Sequence, residues 1–322
     1  MQLAMASAII MTILSCYASG QEYAHLQVKA EHAFVISWDG ISDDRDNSQI
    51  TVSNLQGDRP MGLNVLRPVP DAKSVSVWDV SIRGNLVAVA AVYKAKEGIP
   101  PAHPVALLLL FDFGGRLLSA FHVDPARQVY LLAIDDQSNI WTLTDGGGTT
   151  VDPSTVPMVI KYSADGKVLK ELLKHNLFPF HAESIRSDIE IGSPVMGYDS
   201  GVVWFWLPGS NDLVTIRTTD ANTAIMKTQF PTRAGHKEVP LAIARESSGN
   251  LIAQVREDDD QLRPEVVSEV AYYRWSASTG LWSKFSPGAC ESSRLIGVSD
   301  AGQVYGQFAS GRVVGHCVFR SQ

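Results

Sequence analysis

The sequence is poor in the features that would assign it to a specialised class of protein. Its 322 residues include only 3 Cys and 19% charged residues, which excludes a disulfide-built scaffold and a highly charged disordered chain. The formal net charge is −7 and Lys and Arg do not cluster, so we expect no nucleic-acid-binding surface. The sequence also lacks His-Glu-x-x-His, Cys-x-x-Cys, EF-hand and phosphate-loop motifs, so no common catalytic or metal-binding class is indicated.

Long hydrophobic runs are missing too. Residues 1–20 are uncharged, but their apolar core of about ten residues is too short for a membrane span, which needs about 20. The small residues Ala18 and Gly20 at the end of this segment are typical of a secretory signal peptide. We therefore expect a signal at 1–20, a mature domain at 21–322, and export to the periplasm or the extracellular space. In the alternative interpretation Cys16 is lipidated and forms a lipid anchor.

Export would leave two cysteines in an oxidising compartment. A disulfide between Cys290 and Cys317 would then contribute roughly 3.5 kcal/mol in the chain-entropy model. Two unpaired thiols are the alternative, because the sequence alone does not show that the two Cα atoms are within bonding distance.

The sequence contains instead a repeat of about 50 residues. In each repeat a short apolar strand follows a turn, and the first apolar residues of these strands are Phe34, Leu86, Ile140, Val202, Leu251 and Val304. Between these markers, two alternating strands are joined through a Gly, Asp or Asn turn, as in residues 110–118, which is typical of a hairpin. Two hairpins per repeat predict four short strands.

Six such repeats predict one all-β domain, a six-bladed β-propeller of four-stranded antiparallel blades. One blade cannot bury both of its faces, whereas blades packed in a ring bury all of them. A strand from residues 23–29 is expected to complete the last blade and close the ring. The expected blades are residues 22–72, 73–125, 126–176, 185–232, 238–288 and 293–322.

The third repeat carries a resemblance to a known group of propellers. Residues 135–141 read Asp-Asp-Gln-Ser-Asn-Ile-Trp, and residues 162–168 read Tyr-Ser-Ala-Asp-Gly-Lys-Val. This order of strand and turn resembles six-bladed propellers of the NHL and TolB-like repeat type. The resemblance implies a fold and no chemistry, because such propellers include protein-binding and carbohydrate-binding modules, lyases and lactonases.

Histidines in the loops are the candidate functional residues. His122, His181 and His236 are predicted in loops that enter inner strands, and Glu183 lies two residues after His181. Imidazoles that converge on the axis could bind zinc or another divalent metal, and calcium could bind the acidic run at 257–260. The alternative is that these are exposed loop residues spread around a ring.

Two functions from different classes follow. The favoured one is an exported module, without catalytic activity, that binds a protein, peptide or glycan partner on its loop face, where the long loops 94–104, 144–157 and 174–187 lie. The other is a metal-assisted lyase or hydrolase, lactonase-like, with the three histidines near the axis.

Metal analysis of the purified protein separates these two functions. If the enzyme hypothesis is right, the protein retains a stoichiometric divalent ion, and His181→Ala removes it because one ligand is lost. A protein without stoichiometric metal, whose melting temperature does not respond to zinc or calcium, would contradict the enzyme hypothesis.

Overall fold

A computed structural model describes residues 26–39, 49–54, 60–99, 105–124, 127–145, 156–174, 195–207, 210–230, 236–259, 269–286, 294–299, 303–307 and 313–317. Within these ranges the regular secondary structure is β-strand throughout. No helix of these described segments has the length and hydropathy needed to cross a membrane.

The strands occur in six consecutive groups along the chain. The first two groups are β1–β4 (Leu26–Glu31, Phe34–Asp39, Gln49–Asn54, Met61–Asn64) and β5–β8 (Ala72–Arg83, Leu86–Ala95, Val105–Asp112, Leu117–His122). The next two are β9–β12 (Gln128–Ile134, Ile140–Asp145, Pro157–Tyr162, Val168–Lys174) and β13–β16 (Val195–Asp199, Val202–Leu207, Asp212–Arg217, Thr223–Lys227). The last two are β17–β20 (His236–Arg245, Leu251–Asp259, Glu269–Trp275, Trp282–Phe285) and β21–β23 (Arg294–Val298, Val304–Gln307, Val313–Cys317).

The six apolar sequence markers each begin the second strand of a group. No group extends more than two residues beyond its predicted range, although the fourth begins at Val195, ten residues after its predicted start. The hydrogen bonds, however, join these groups into five sheets. Four are four-stranded antiparallel sheets in chain order, and the fifth is seven-stranded with the order β23-β22-β21-β1-β2-β3-β4. The prediction of six separate blades is therefore wrong, since the structure has five.

The fifth sheet arises because the first and last strand groups meet edge to edge. Strand β1 pairs in parallel with β21, with Ala30 opposite Gly297 and Glu31 opposite Val298. A Cβ atom at position 297 would lie 2.0 Å from the carbonyl oxygen of Ala30, so the two backbones approach this closely only because residue 297 is glycine. The sequence predicts that a strand from residues 23–29 joins the last group. Strand β1 does contact that group, but through β21 and while staying paired with β2 in its own group, so the two groups form one sheet.

Buried apolar clusters connect the strand groups in a closed ring. Each group shares a cluster with the next one, and the last group shares one with the first, so every group is covered on both faces. One pair from each cluster, in chain order, is Trp38 and Val77, Leu108 and Leu132, Trp141 and Phe205, Trp206 and Leu251, Tyr272 and Leu295, and Ala30 and Ile296.

The motif that carries the family resemblance has a structural role. The Asp135 carboxylate accepts hydrogen bonds from the Asn139 backbone N–H (2.9 Å) and from Trp141 Nε1 (2.9 Å), and Lys161 Nζ lies 3.3 Å away. Burial would raise the pKa of Asp135, but the hydrogen bonds from Trp141 and Asn139 keep it below its ordinary value. The carboxylate thus fixes the turn and the indole that packs beneath it.

The glycine contact predicts a specific sensitivity. Gly297→Ala should lower the free energy of unfolding by about 3 kcal/mol or more, because its Cβ would collide with backbone rather than with a flexible side chain. Gly84→Ala is the matched control: it has a positive φ of 58° but no atom within 4 Å of the added Cβ, so it should cost only about 1 kcal/mol. Urea unfolding measures both, and equal losses would contradict this account of ring closure.

Candidate functional site

The first strands of the groups contact one another, as β5 does β9, β9 does β13, β17 does β21 and β21 does β1, and they are the inner strands that surround the axis. A cavity of about 90 Å³ lies among the inner strands β1, β13, β17 and β21 and is called the axial cavity. The residues around it belong to the last part of each inner strand and to the turn that follows. The charged and aromatic side chains among them, which could contact a ligand, are Lys29, Glu31, Tyr198, Asp199, Trp204 and Arg245. The cavity therefore lies at the end of the axis opposite to the loops that enter the inner strands.

A buried charge network forms one wall of the cavity. Lys29 Nζ lies 3.2 Å from Asp79 Oδ1 and 3.5 Å from Glu31 Oε2, and it donates to the carbonyl oxygen of Val80 (3.0 Å). The second oxygen of Asp79 accepts from the Leu132 backbone N–H at 3.0 Å, so this carboxylate joins three inner strands, β1, β5 and β9.

Burial and charge act in opposite directions on this network. Burial alone would lower the pKa of Lys29, but the carboxylates of Asp79 and Glu31 raise it above its ordinary value. Burial raises the pKa of Asp79, although Lys29 opposes that change. Each buried charge in the network faces an opposite charge, which is the condition for keeping charged groups inside a protein.

A second polar cluster connects the ends of four inner strands. Arg83 Nε donates to Asp136 Oδ1 (2.7 Å), and Tyr198 Oη donates to Asp136 Oδ2 (2.6 Å). Arg83 Nη1 lies 3.3 Å from His32 Nε2 and must be the donor, because a guanidinium has no acceptor. The hydrogen bond from Tyr198 and the charge of Arg83 hold the pKa of Asp136 below its ordinary value.

Arg245 occupies on β17 the place that Arg83 occupies on β5, at the last residue of the inner strand. Its side chain is only 12% exposed, and its Nε and Nη1 have no hydrogen-bond acceptor among the residues that the structure describes. The nearest carboxylate oxygen, Asp199 Oδ2, is 3.6 Å from Nη1, which is too far for a hydrogen bond. Burial lowers the pKa of Arg245, but a guanidinium stays protonated in proteins, so its charge and donors remain.

The structure does not bring the predicted histidines together where it describes them. His122 ends β8, the strand of its sheet farthest from the inner strand, and its exposed ring contacts Tyr93 with centroids 5.0 Å apart. His236 begins the inner strand β17, and His181 and Glu183 lie outside the described residues. No cluster of three or more metal-ligating side chains occurs in the described part of the chain. The metal site stays a prediction.

The cysteine and signal-peptide predictions also stay untested. Residues 1–20, with Cys16, and Cys290 lie outside the described residues. Cys317 is the last residue of β23, where its backbone pairs with Val304.

Sequence reasoning missed the residues at the ends of the inner strands. A usable signal was present, because Arg83 and Arg245 each stand at the junction of an apolar strand and a turn that leads to the next apolar marker. In the structure both arginines end inner strands, where a charge that becomes buried is costly unless it is paired.

Comparison with known proteins supports the fold and nothing finer. The chain matches no protein-family model and no curated protein. Among solved structures, it is similar to a candidate exported protein of Bacteroides fragilis (TM-score 0.50, 10% identity, 87% of this chain and 78% of that one). It is also similar to the WD40 β-propeller domain of Doa1 (0.39, 11%, 90% and 91%) and to a luciferin-regenerating enzyme (0.42, 12%, 81% and 80%). The chain is thus an all-β propeller of four-stranded antiparallel blades, and the NHL or TolB-like grouping is not confirmed.

The axial network predicts a strong effect of removing its cation. Lys29→Met should lower the free energy of unfolding by about 3 kcal/mol, because it leaves Asp79 and Glu31 close together without a counter-charge. Lys94→Met, at an exposed position on β6, should change it by no more than about 0.5 kcal/mol. Chemical unfolding of both variants gives the comparison, and a Lys29→Met protein as stable as the control would show that the network does not need this charge.

Proposed function

We propose that the protein is an exported β-propeller that binds a protein, peptide or glycan partner at its axial cavity and does not transform it. The observation that carries this proposal is the buried guanidinium of Arg245, whose Nε and Nη1 lack acceptors at the cavity wall. An unmade hydrogen bond of a buried charged group is costly, so a group that supplies acceptors there would be held. Export is proposed from the signal-peptide pattern of residues 1–20.

The titratable groups at the cavity favour binding over acid–base chemistry. A general acid or base works best with a pKa near the working pH. The pKa of Lys29 is raised by its two carboxylates, and that of Tyr198 is raised by burial and by its hydrogen bond to Asp136. Asp79 has a raised pKa, but its oxygens are already occupied by Lys29 and by backbone N–H groups. These three side chains hold the site together and are poorly suited to transferring protons near neutral pH.

Blocking the cavity tests this function. Ser247 is an exposed turn residue at the cavity wall, so Ser247→Trp should cover the cavity without disturbing the core. Ser278→Trp, in the exposed turn before β20 of the same sheet, is the matched control away from the cavity. The full chain and both variants are screened on arrays of neutral glycans, acidic glycans and peptides, after their melting temperatures are shown to agree.

At least one array member should bind the unmodified protein and the Ser278→Trp control equally, and bind Ser247→Trp at least about tenfold more weakly. The bound probe should be recovered chemically unchanged. Binding that is indifferent to Ser247→Trp, an absence of any binding, or conversion of the probe to a product would each contradict the proposal.

A further inference from the structure

The two equivalent arginines show what the cavity lacks. Arg83 has its acceptor, because Nε and Nη2 each lie 2.7 Å from Asp136 Oδ1. The centre of the Tyr198 ring lies 4.9 Å from Arg83 Cζ. Arg245 has an aromatic ring in the corresponding place, Trp204 at 5.9 Å, but its Nε and Nη1 have no acceptor within hydrogen-bond distance in the described residues. The space beside Arg245 therefore lacks the acceptor that Asp136 supplies to Arg83.

A ligand between Arg245 and Asp199 would meet a hydrogen-bond donor on the arginine and an acceptor on the aspartate. Asp199 Oδ2 faces Arg245 Nη1 across 3.6 Å, whereas a charge-assisted N–H···O bond is about 2.7–2.9 Å long. The other oxygen of Asp199 already accepts from Ser200 Oγ (2.9 Å). A hydroxyl group can accept from the guanidinium and donate to Oδ2 at the same time, whereas a carboxylate could only accept and would face Asp199 with like charge.

The charges around the cavity give the same preference. Lys29 and Arg245 contribute two positive charges, and Glu31 and Asp199 contribute two negative ones, so these groups sum to zero. Asp79 adds a further negative charge behind Lys29. The site therefore has no excess positive charge to attract an anion, and a neutral polar ligand meets no net repulsion.

The remaining wall is apolar and fixed in position. Trp204 is 8% exposed and borders the cavity with Met196. A Cβ on Gly197 would lie 2.9 Å from Trp204 Cζ2, so the indole lies directly against the backbone of β13 and has little freedom to move. Hydroxyl-binding side chains beside a fixed aromatic surface suit a sugar, which has polar hydroxyls and apolar C–H faces.

We propose that the axial cavity binds one neutral terminal sugar residue of a glycan, with a hydroxyl bridging Asp199 and Arg245. Its volume of about 90 Å³ is several times the roughly 10–15 Å³ that one water requires, which fits a single small polyol unit better than a chain. This inference rests on the proposed function, because it names the ligand class of the same cavity.

Saturation-transfer NMR on the full chain tests the inference with glucose, galactose, mannose, N-acetylglucosamine and fucose, and with glucuronate as the acidic probe. At least one neutral sugar should receive saturation. Its affinity should fall about tenfold or more in both Asp199→Asn and Arg245→Gln, because each variant removes one charge-assisted hydrogen bond. Arg217→Gln, which removes an exposed arginine of β15 that pairs with Asp220 and does not line the cavity, should leave the affinity unchanged.

The sign of the Asp199→Asn effect discriminates between ligand classes. If glucuronate or an acidic peptide binds, and binds more tightly once this aspartate is neutral, the ligand is a carboxylate and the inference is wrong. If no neutral sugar binds but a peptide binds in a manner sensitive to Ser247→Trp, the inference fails and the proposed function stands. If nothing binds in that manner, the proposed function itself fails.

Discussion

The close approach of the β1 and β21 backbones is the contact on which the rest of the molecule depends. It joins the first and last strand groups, so that every group is covered on both faces and neither of these inner strands has an open edge. Because side chains alternate along a strand, the contact also determines which way β1 presents its polar residues. Ala30 packs toward β21, while Lys29 and Glu31 on either side of it reach Asp79 and Ser81 on β5.

The charged groups at the axis are tolerated because each is paired with an opposite charge or a hydrogen-bond partner. Lys29 lies between two carboxylates, and Asp136 accepts hydrogen bonds from both Arg83 and Tyr198. Arg245 departs from this rule at the position of its own strand group that is equivalent to Arg83. Proteins break such local rules mainly at functional sites, where an external group completes the set. The exception, rather than the fold, is thus what points to a ligand.

The sequence repeat predicted the strands well because it reflects local chemistry. Leu86 and Leu251 each begin a second strand as expected, since a turn followed by alternating apolar residues is sufficient to specify a hairpin. The sheet count could not be obtained in this way, because it depends on the spatial contact of Gly297 with Ala30. The axial cavity was missed for a similar reason: the 3.6 Å gap between Arg245 and Asp199 is a distance between different strand groups, and no spacing along the chain encodes it.

The same reasoning shows why the fold leaves the ligand open. Proteins that share an architecture differ in function, because function resides in a few side chains of a site rather than in the fold. In this chain the arginine alone would favour any acceptor, including a carboxylate. Asp199, held by Ser200 and facing Arg245, cancels that charge and leaves a requirement for a group that both donates and accepts. In the proposed site the aspartate would therefore set the class of ligand, and the arginine would set only where that ligand is held.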